Sequence, residues 1–358
     1  MIVKRILTFL FIVCLCLATH ADYIIVSRSA NIRVEPTTES DIVCNVQRGE
    51  YMVLIDSLKQ YNGYYHVETQ DGIRGYIYRT LVRRYRGSIP PEAIVNPEEA
   101  EYFGALKIPD DYYIGTEDLT GEKLKAQLHS IIRDHKVFSY DELWDILAET
   151  DKDMHHPDHV ILIYSGRSQS AAQRDMGTNY NYLAHGFTLG DSWNREHIWA
   201  KSHGFENETD TPYTDLHHIR SADRSTNSAR NTRSFDNCPN QYFDNGGRVQ
   251  TKCYTSDTEW KWEPPDEVKG DVARMIFYMD VRYEGPEMDL EIVDYLPERG
   301  TKEKIMGRLS TLKEWHEQDP VDNWERRRNQ IIFEKYQGNR NPFIDHPEWV
   351  VKIWETEN

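Results

Sequence analysis

The sequence predicts two folded parts in series, a small all-β barrel at the N-terminus and a larger α+β domain behind it. Three observations predict this. Residues 23–85 hold short β-branched and aromatic runs separated by Asn-Gly and Asp-Gly turn dipeptides, the pattern of a small antiparallel barrel. Residues 86–111 have the proline-containing composition of a connector. Residues 112–356 mix amphipathic helical stripes with extended apolar segments. A chain of 358 residues, 39% hydrophobic and 12% aromatic, is long and apolar enough to bury two cores.

Residues 1–21 lie outside both parts and read as a signal peptide. Lys4 and Arg5 precede an apolar run, Ile6 to Ala18, that is too short to span a bilayer, and Thr19-His20-Ala21 offers small residues to a signal peptidase. Neither Cys14 nor Cys16 follows the small residue of a lipid-attachment site. Cleavage near Ala21, secretion or periplasmic export, and no membrane span in the remainder are expected; an uncleaved anchor is the alternative. Cys44, Cys238 and Cys253 then remain. Cys238 and Cys253 flank a loop with Gly246-Gly247 and are the candidate disulfide of an oxidising compartment, with zinc ligation as the alternative and Cys44 left free.

Taken in order, Tyr23–Val26, Met52–Ile55, Tyr64–Val67 and Gly75–Tyr78 read as strands, broken at Asn62-Gly63 and Asp71-Gly72. The succession Ser29-Ala30-Asn31-Ile32-Arg33, Pro36, Gly49, Gly63-Tyr64-Tyr65, Gly75-Tyr76-Ile77 resembles bacterial Src-homology-three-like domains. That resemblance implies a cell-wall peptide or protein segment as ligand; a spacer without ligand is the alternative. Thr120 is a candidate N-cap for a helix with Leu124, Leu128, Ile131 and Ile132 on one face, and Ser139 for a second with Leu143, Trp144, Ile146 and Leu147 inside. His155-His156-Pro157 reads as a loop, and His159–Tyr164 as a buried strand. Asp271–Tyr283 reads as a core helix from whose stripe Arg274 turns toward the site; Ile305–Glu317 and Trp324–Tyr336 read as further helices.

The formal net charge is −17, and becomes −19 once residues 1–21, with two cations and no acid, are removed. Such a chain attracts no polyanion over its whole surface. Two basic islands run against this: Arg220, Arg224, Arg230 and Arg233 beside Asp223, and Arg326, Arg327, Arg328, Lys335 and Arg340 beside Glu325 and Glu334. They are candidate places to hold a phosphate backbone, or simply paired charge.

The chemistry concentrates in Trp193-Asn194-Arg195-Glu196-His197-Ile198-Trp199 and in Asp215-Leu216-His217-His218-Ile219-Arg220, which runs on to Asn227 and Arg230. Two strands followed by a helix capped at Ser225 would bring Glu196, His197 and Asn227 together, with Asn227 and Asn231 on one helix face. A hard divalent ion takes oxygen ligands and keeps waters, which suits one carboxylate and one amide oxygen, Glu196 and Asn227. An imidazole suits proton abstraction near neutral pH, which suits His197 as general base. Neighbours on a regular strand face opposite ways, so a distortion is expected at Glu196-His197. Arg230, Arg224 and Arg274 are the candidate phosphate holders. His203, His217 and His218 are read as structural, as are the turn residues Gln337–Asp345.

The whole pattern resembles the bacterial endonuclease I family of the ββα-metal (His-Me finger) superfamily. It is carried by Asn194–His197, Asp215–Arg220, Asp223–Arg230, Lys269–Arg274 with Phe277-Tyr278-Met279, and Gln337–Asp345, spread over residues 112–356. The resemblance implies a ββα-metal core surrounded by helices. It implies exported cleavage of DNA, often of RNA too, with little sequence preference and 5′-phosphate ends, with Mg²⁺, or Mn²⁺ or Ca²⁺ in its place. His197 would be the general base, and Glu196 and Asn227 the metal ligands. Some relatives carry a phosphate-binding arginine in a disulfide-bearing loop after the Glu-His pair, but Ala200–Thr214 holds neither Arg nor Cys. The alternatives are a non-catalytic envelope-binding protein on a nuclease scaffold, and a zinc hydrolase.

Overall fold

The computed structural model describes residues 22–56, 59–69, 72–86, 108–154, 156–177, 180–185, 191–285 and 288–355. The expected signal peptide, most of the connector and His155 lie outside these.

The N-terminal part contains β1 (Asp22–Val26), β2 (Ala30–Arg33), β3 (Ile42–Val46), β4 (Tyr51–Leu54), β5 (Gln60–Tyr61), β6 (Tyr64–Glu68), β7 (Arg74–Tyr78) and β8 (Val82–Arg86). They form one sheet in the order β3-β2-β7-β6-β4-β1-β8, with β5 attached to β6. Among the described residues its ends, β3 and β8, do not pair, so the expected barrel is not closed by hydrogen bonds. Ile24, Val26, Ile32, Met52, Val67 and Ile77 build its core. Asn62 (φ 51°) and Gly63 (φ 85°) make the left-handed turn between β5 and β6, the geometry that Asn-Gly dipeptides favour.

The second part begins with α1 (Gly121–Ile132) and α2 (Leu143–Thr150), whose apolar stripes bury Leu124, Leu128 and Ile132, and Leu143, Ile146 and Leu147. Thr120 precedes α1, but its hydroxyl makes no cap bond. β9 (His159–Ile161) pairs with β10 (Ser168–Ser170). β11 (Trp193–His197) pairs antiparallel with β12 (Ile219–Asp223), and α3 (Arg224–Arg230) follows β12 directly. β13 (Ser234–Phe235), β14 (Asn240–Phe243), β15 (Val249–Ser256) and β16 (Lys261–Glu263) form a sheet in the order β13-β16-β15-β14.

Every residue of α4 (Lys269–Arg282) is buried, which makes it the axis of the domain. Gly270 lets α4 begin there, because a Cβ at that position would lie 1.9 Å from the Asp319 carbonyl oxygen. β17 (Glu291–Val293) and β18 (Ile305–Arg308) pair in parallel, and α5 (Leu309–Gln318), α6 (Asn323–Ile331) and α7 (Trp349–Trp354) close the domain. The helix expected from Ile305 starts four residues later. Gly307 (φ 79°) leaves the helical region there, and its N–H donates to Ser234 Oγ at 2.7 Å.

The two parts touch through Arg28. Its guanidinium faces Asp319 (3.2 Å), Asp271 (3.5 Å) and Asp322 (3.7 Å), and the side chain is 16% exposed. Nearby, Asn31 Nδ2 donates to the Glu317 carbonyl and Arg33 pairs with Glu317.

Candidate active site

β11 sets the geometry. It pairs with β12 in unbroken register, Asn194↔Ala222, Glu196↔Arg220 and His197↔Ile219, so the distortion expected at Glu196-His197 is not in the ladder. Side chains therefore alternate between faces. Asn194 and Glu196 face α3, where Asn227 Nδ2 donates to Asn194 Oδ1 (2.9 Å) and Arg230 lies 3.3 Å from Glu196 Oε1. Asn194 and Glu196 stand about 6.6 Å apart along one strand face. The amide nitrogen of Asn227 is turned to Asn194, and among the described residues no hydrogen bond engages its oxygen.

Glu196 is buried and accepts a hydrogen bond from the Tyr164 hydroxyl at 2.7 Å. Burial holds its carboxyl above the usual range, against the opposing pull of Arg230, Tyr164 and the His197 backbone N–H. Both side-chain partners engage Oε1, and among the described residues no side-chain hydrogen bond engages Oε2. Glu196 and Asn227 therefore offer hard oxygens to a cation, and the carboxylate sits where added positive charge would offset its desolvation. Among the described residues, no three His, Cys, Asp or Glu side chains gather as a metal cage.

His197 points the other way, into a box of Tyr140 (stacked, centroids 5.8 Å), Tyr213 (4.9 Å) and His218 (5.7 Å). Its Nε2 lies 2.9 Å from the Tyr213 carbonyl oxygen. A carbonyl only accepts, so Nε2 carries the proton and Nδ1 is the basic nitrogen. Burial, with the His218, Lys201 and Arg195 charges, holds the imidazole well below its ordinary pKa, so it is neutral at pH 7. Among the described residues the edge of β11 away from β12 makes no ladder beyond the bridge at Trp193. A group seated over that edge is flanked by Glu196 on one face and His197 on the other.

The three arginines part company. Arg230 is 1% exposed, and donates to the carbonyls of His197 (2.9 Å) and Ile198 (2.5 Å). It braces the end of β11 and Glu196 and has no free face for a phosphate. Arg274 is fully buried, bidentate to Glu325 at 2.7 Å, and does not reach the site at all. Arg224 pairs with Asp175 at 3.0 Å and keeps a side chain 36% exposed. Asn231 (φ 52°) has left the helix at its C-cap, so it does not share the face of Asn227. The basic islands are also largely interior: Arg220 and Arg328 pair with Asp151, Arg340 with Asp345, and Arg327 donates to the Thr150 and Glu149 carbonyls.

The Cys238–Cys253 disulfide is absent: both thiols are free. Cys238 lies ahead of β14, where its backbone N–H donates to Glu263 Oε2 at 2.6 Å and its Sγ lies 3.3 Å from the Asp236 carbonyl. Cys253 instead packs inward, its Sγ 3.5 Å from the Tyr164 carbonyl.

His217 and His218 are buried, with Nε2 of each at a backbone carbonyl, Asn339 (3.2 Å) and Pro212 (2.7 Å). His203 Nδ1 lies 2.8 Å from the Glu303 carbonyl. Gln337 and Asn339 tie Asp215, Tyr278 and α1 together. Sequence reasoning missed Asn194 and Tyr164. Asn194 had a signal, since it sits two residues before Glu196 and so on its face.

A family model described as Endonuclease I matches residues 120–348, and one described as bacterial SH3 domain matches residues 28–83. The chain is 49% identical over 247 residues to a protein named extracellular ribonuclease from Bacillus subtilis, covering 68% of this chain and 78% of that one. It is 47% identical over 247 residues to the extracellular ribonuclease of Bacillus amyloliquefaciens, with the same coverage of each chain. A third relative, named endonuclease-1, from Buchnera aphidicola, is 29% identical over 131 residues, 37% of this chain and 46% of that one. With the strand pair, the helix behind it and the match over residues 120–348 in hand, the chain belongs to the Endonuclease I family of nucleases, preceded by a bacterial SH3-like domain.

Proposed function

We propose that the protein is an exported, metal-dependent, sequence-nonspecific endonuclease that hydrolyses phosphodiester bonds of DNA and RNA to 5′-phosphate ends. The observation that carries this reading is that Asn227 and Arg230 of α3 reach Asn194 and Glu196 of β11, while the neighbouring His197 has its Nε2 held at the Tyr213 carbonyl. RNA stands beside DNA because two relatives matched over 68% of this chain are named extracellular ribonucleases, and the same names favour export.

His197 Nδ1 takes the proton of the attacking water, and the Tyr213 carbonyl holds the ring so that Nδ1 faces the nucleophile. Glu196 and Asn227 would hold a magnesium-class ion, for which manganese or calcium could substitute, and which would supply positive charge at the scissile phosphate. Arg230 positions Glu196 and the end of β11. Arg224 is the remaining arginine with a surface from which to meet a phosphate. The SH3-like domain is proposed to take a cell-wall peptide or protein segment as a second ligand.

Incubation with plasmid DNA and with structured RNA, with and without a chelator, tests the reading. Both are expected to be cut in millimolar Mg²⁺ and spared in chelator, with cutting restored by excess Mg²⁺. Cleavage that persists undiminished in chelator, or none with any divalent ion, contradicts it; the second result favours the non-catalytic envelope-binding alternative.

A further inference from the structure

A cleft of about 790 Å³ lies where the SH3-like domain meets the nuclease domain, within the roughly 300–1,000 Å³ of sites that enclose organic ligands. Arg48 and Arg83 line it from the SH3-like side, Lys252 from the nuclease side, with Arg28 and Arg220 at its floor. The floor cations are committed to Asp271, Asp319 and Asp151. The three acids that line it are committed too. Asp322 caps α6 and pairs with Arg28, Asp153 accepts from His156 and Ser168, and Glu267 pairs with Lys252. Arg48 and Arg83 are exposed and their side chains form no hydrogen bond or ion pair with a described residue, so the cleft presents two uncommitted cations in a chain of net charge −17.

The cleft adjoins the active site. Ser165 lines it and donates to Asp223, which precedes α3, while Tyr164, the next residue back, bonds Glu196. Lys252 likewise neighbours Cys253, whose Sγ touches Tyr164. The residue that bonds the Glu196 carboxylate is thus the chain neighbour of one that lines the cleft.

We propose that this cleft is an extended nucleic-acid subsite, which holds the phosphate backbone of the substrate strand a few nucleotides from the bond that is cut, with Arg48 and Arg83 as its phosphate contacts. This rests on the nuclease reading above. It gives the SH3-like domain a part in substrate binding, and places these two phosphate contacts outside both basic islands of the sequence.

The test uses the full chain carrying Arg48→Glu with Arg83→Glu, and as control the same charge reversal outside the cleft, Lys59→Glu with Arg74→Glu. Binding of a long single-stranded oligonucleotide and of a tetranucleotide is read by fluorescence anisotropy in chelator, so that it does not depend on cleavage. KM and kcat are read separately in Mg²⁺. The cleft variant is expected to bind the long strand at least tenfold more weakly and to lower the slope of log K against log salt by about 1.4, two contacts' worth for a single strand. Its KM is expected to rise more for the long strand than for the tetranucleotide, and the control to match the unaltered chain. Equal loss in control and cleft variant, or equal effects on long and short strands, overturns the proposal. Absence of cleavage by the unaltered chain sinks the nuclease reading alone, because the anisotropy arm still decides whether the cleft holds a strand.

Discussion

Replacing His197 with alanine is expected to reduce cleavage of DNA and RNA by about 10²–10⁴-fold, the usual contribution of a positioned general base. The loss should fall on kcat, because in the proposed mechanism the imidazole would touch the attacking water and not the bulk of the substrate. Thermal melting of the same variant separates this from unfolding, since the ring also fills a box of Tyr140 and Tyr213. The pH profile gives an independent reading. A buried imidazole held well below its ordinary pKa stays unprotonated, and so remains a base, through the range where an ordinary histidine would be lost. The acid limb of kcat/KM is therefore expected below pH ~6.5, and nearby positive charge from a metal moves it further the same way. Full activity in His197→Ala, or an acid limb above the ordinary histidine range, counts against the assignment.

Arg28→Ala is expected to cost about 3 kcal/mol of stability, the lower end for breaking a buried ion pair, because the side chain keeps 16% exposure. The loss arises in what remains. Asp319, Asp271 and Asp322 would face one another with no cation from the SH3-like side. Burial already holds the Asp319 carboxyl above its usual range, against the pull of Arg28. A carboxyl whose folded pKa is raised contributes stability that is present below its unfolded pKa of ~3.9 and lost as pH climbs through the folded value. Without Arg28 that folded value rises further, so denaturant titrations should show a larger deficit at pH 8 than at pH 5. An equal deficit at both, or none, would mean that Arg28 does not tie the domains together.

Local signals were the ones the sequence carried well. Turn dipeptides and aromatic runs marked β4, β6 and β7, and Asn62-Gly63 forms the turn its chemistry favours. The apolar stripes of α1 and α4 lie where the periodicity put them. Glu196 and Asn227 come to one face because a strand pair and the next helix are contiguous units, which spacing alone can suggest. The arginines were not legible in this way. A basic cluster in sequence says nothing about acids such as Glu325, which meets Arg274 from fifty-one residues away, or Asp151, which meets Arg328 from farther still. The disulfide failed because each thiol packs against a different backbone carbonyl, Asp236 for Cys238 and Tyr164 for Cys253, which a two-cysteine spacing cannot reveal. Tyr164 was hidden at the end of an apolar run, where its ring reads as core and its hydroxyl goes unread.

The central claim is that Glu196 and Asn227 hold one cation within reach of His197. Crystals soaked in Mn²⁺ test it most directly through the anomalous signal. The expected result is one strong peak between the Glu196 carboxylate and the Asn227 amide oxygen, lost in Glu196→Gln. A peak elsewhere, or none at manganese concentrations that support cleavage, would contradict it.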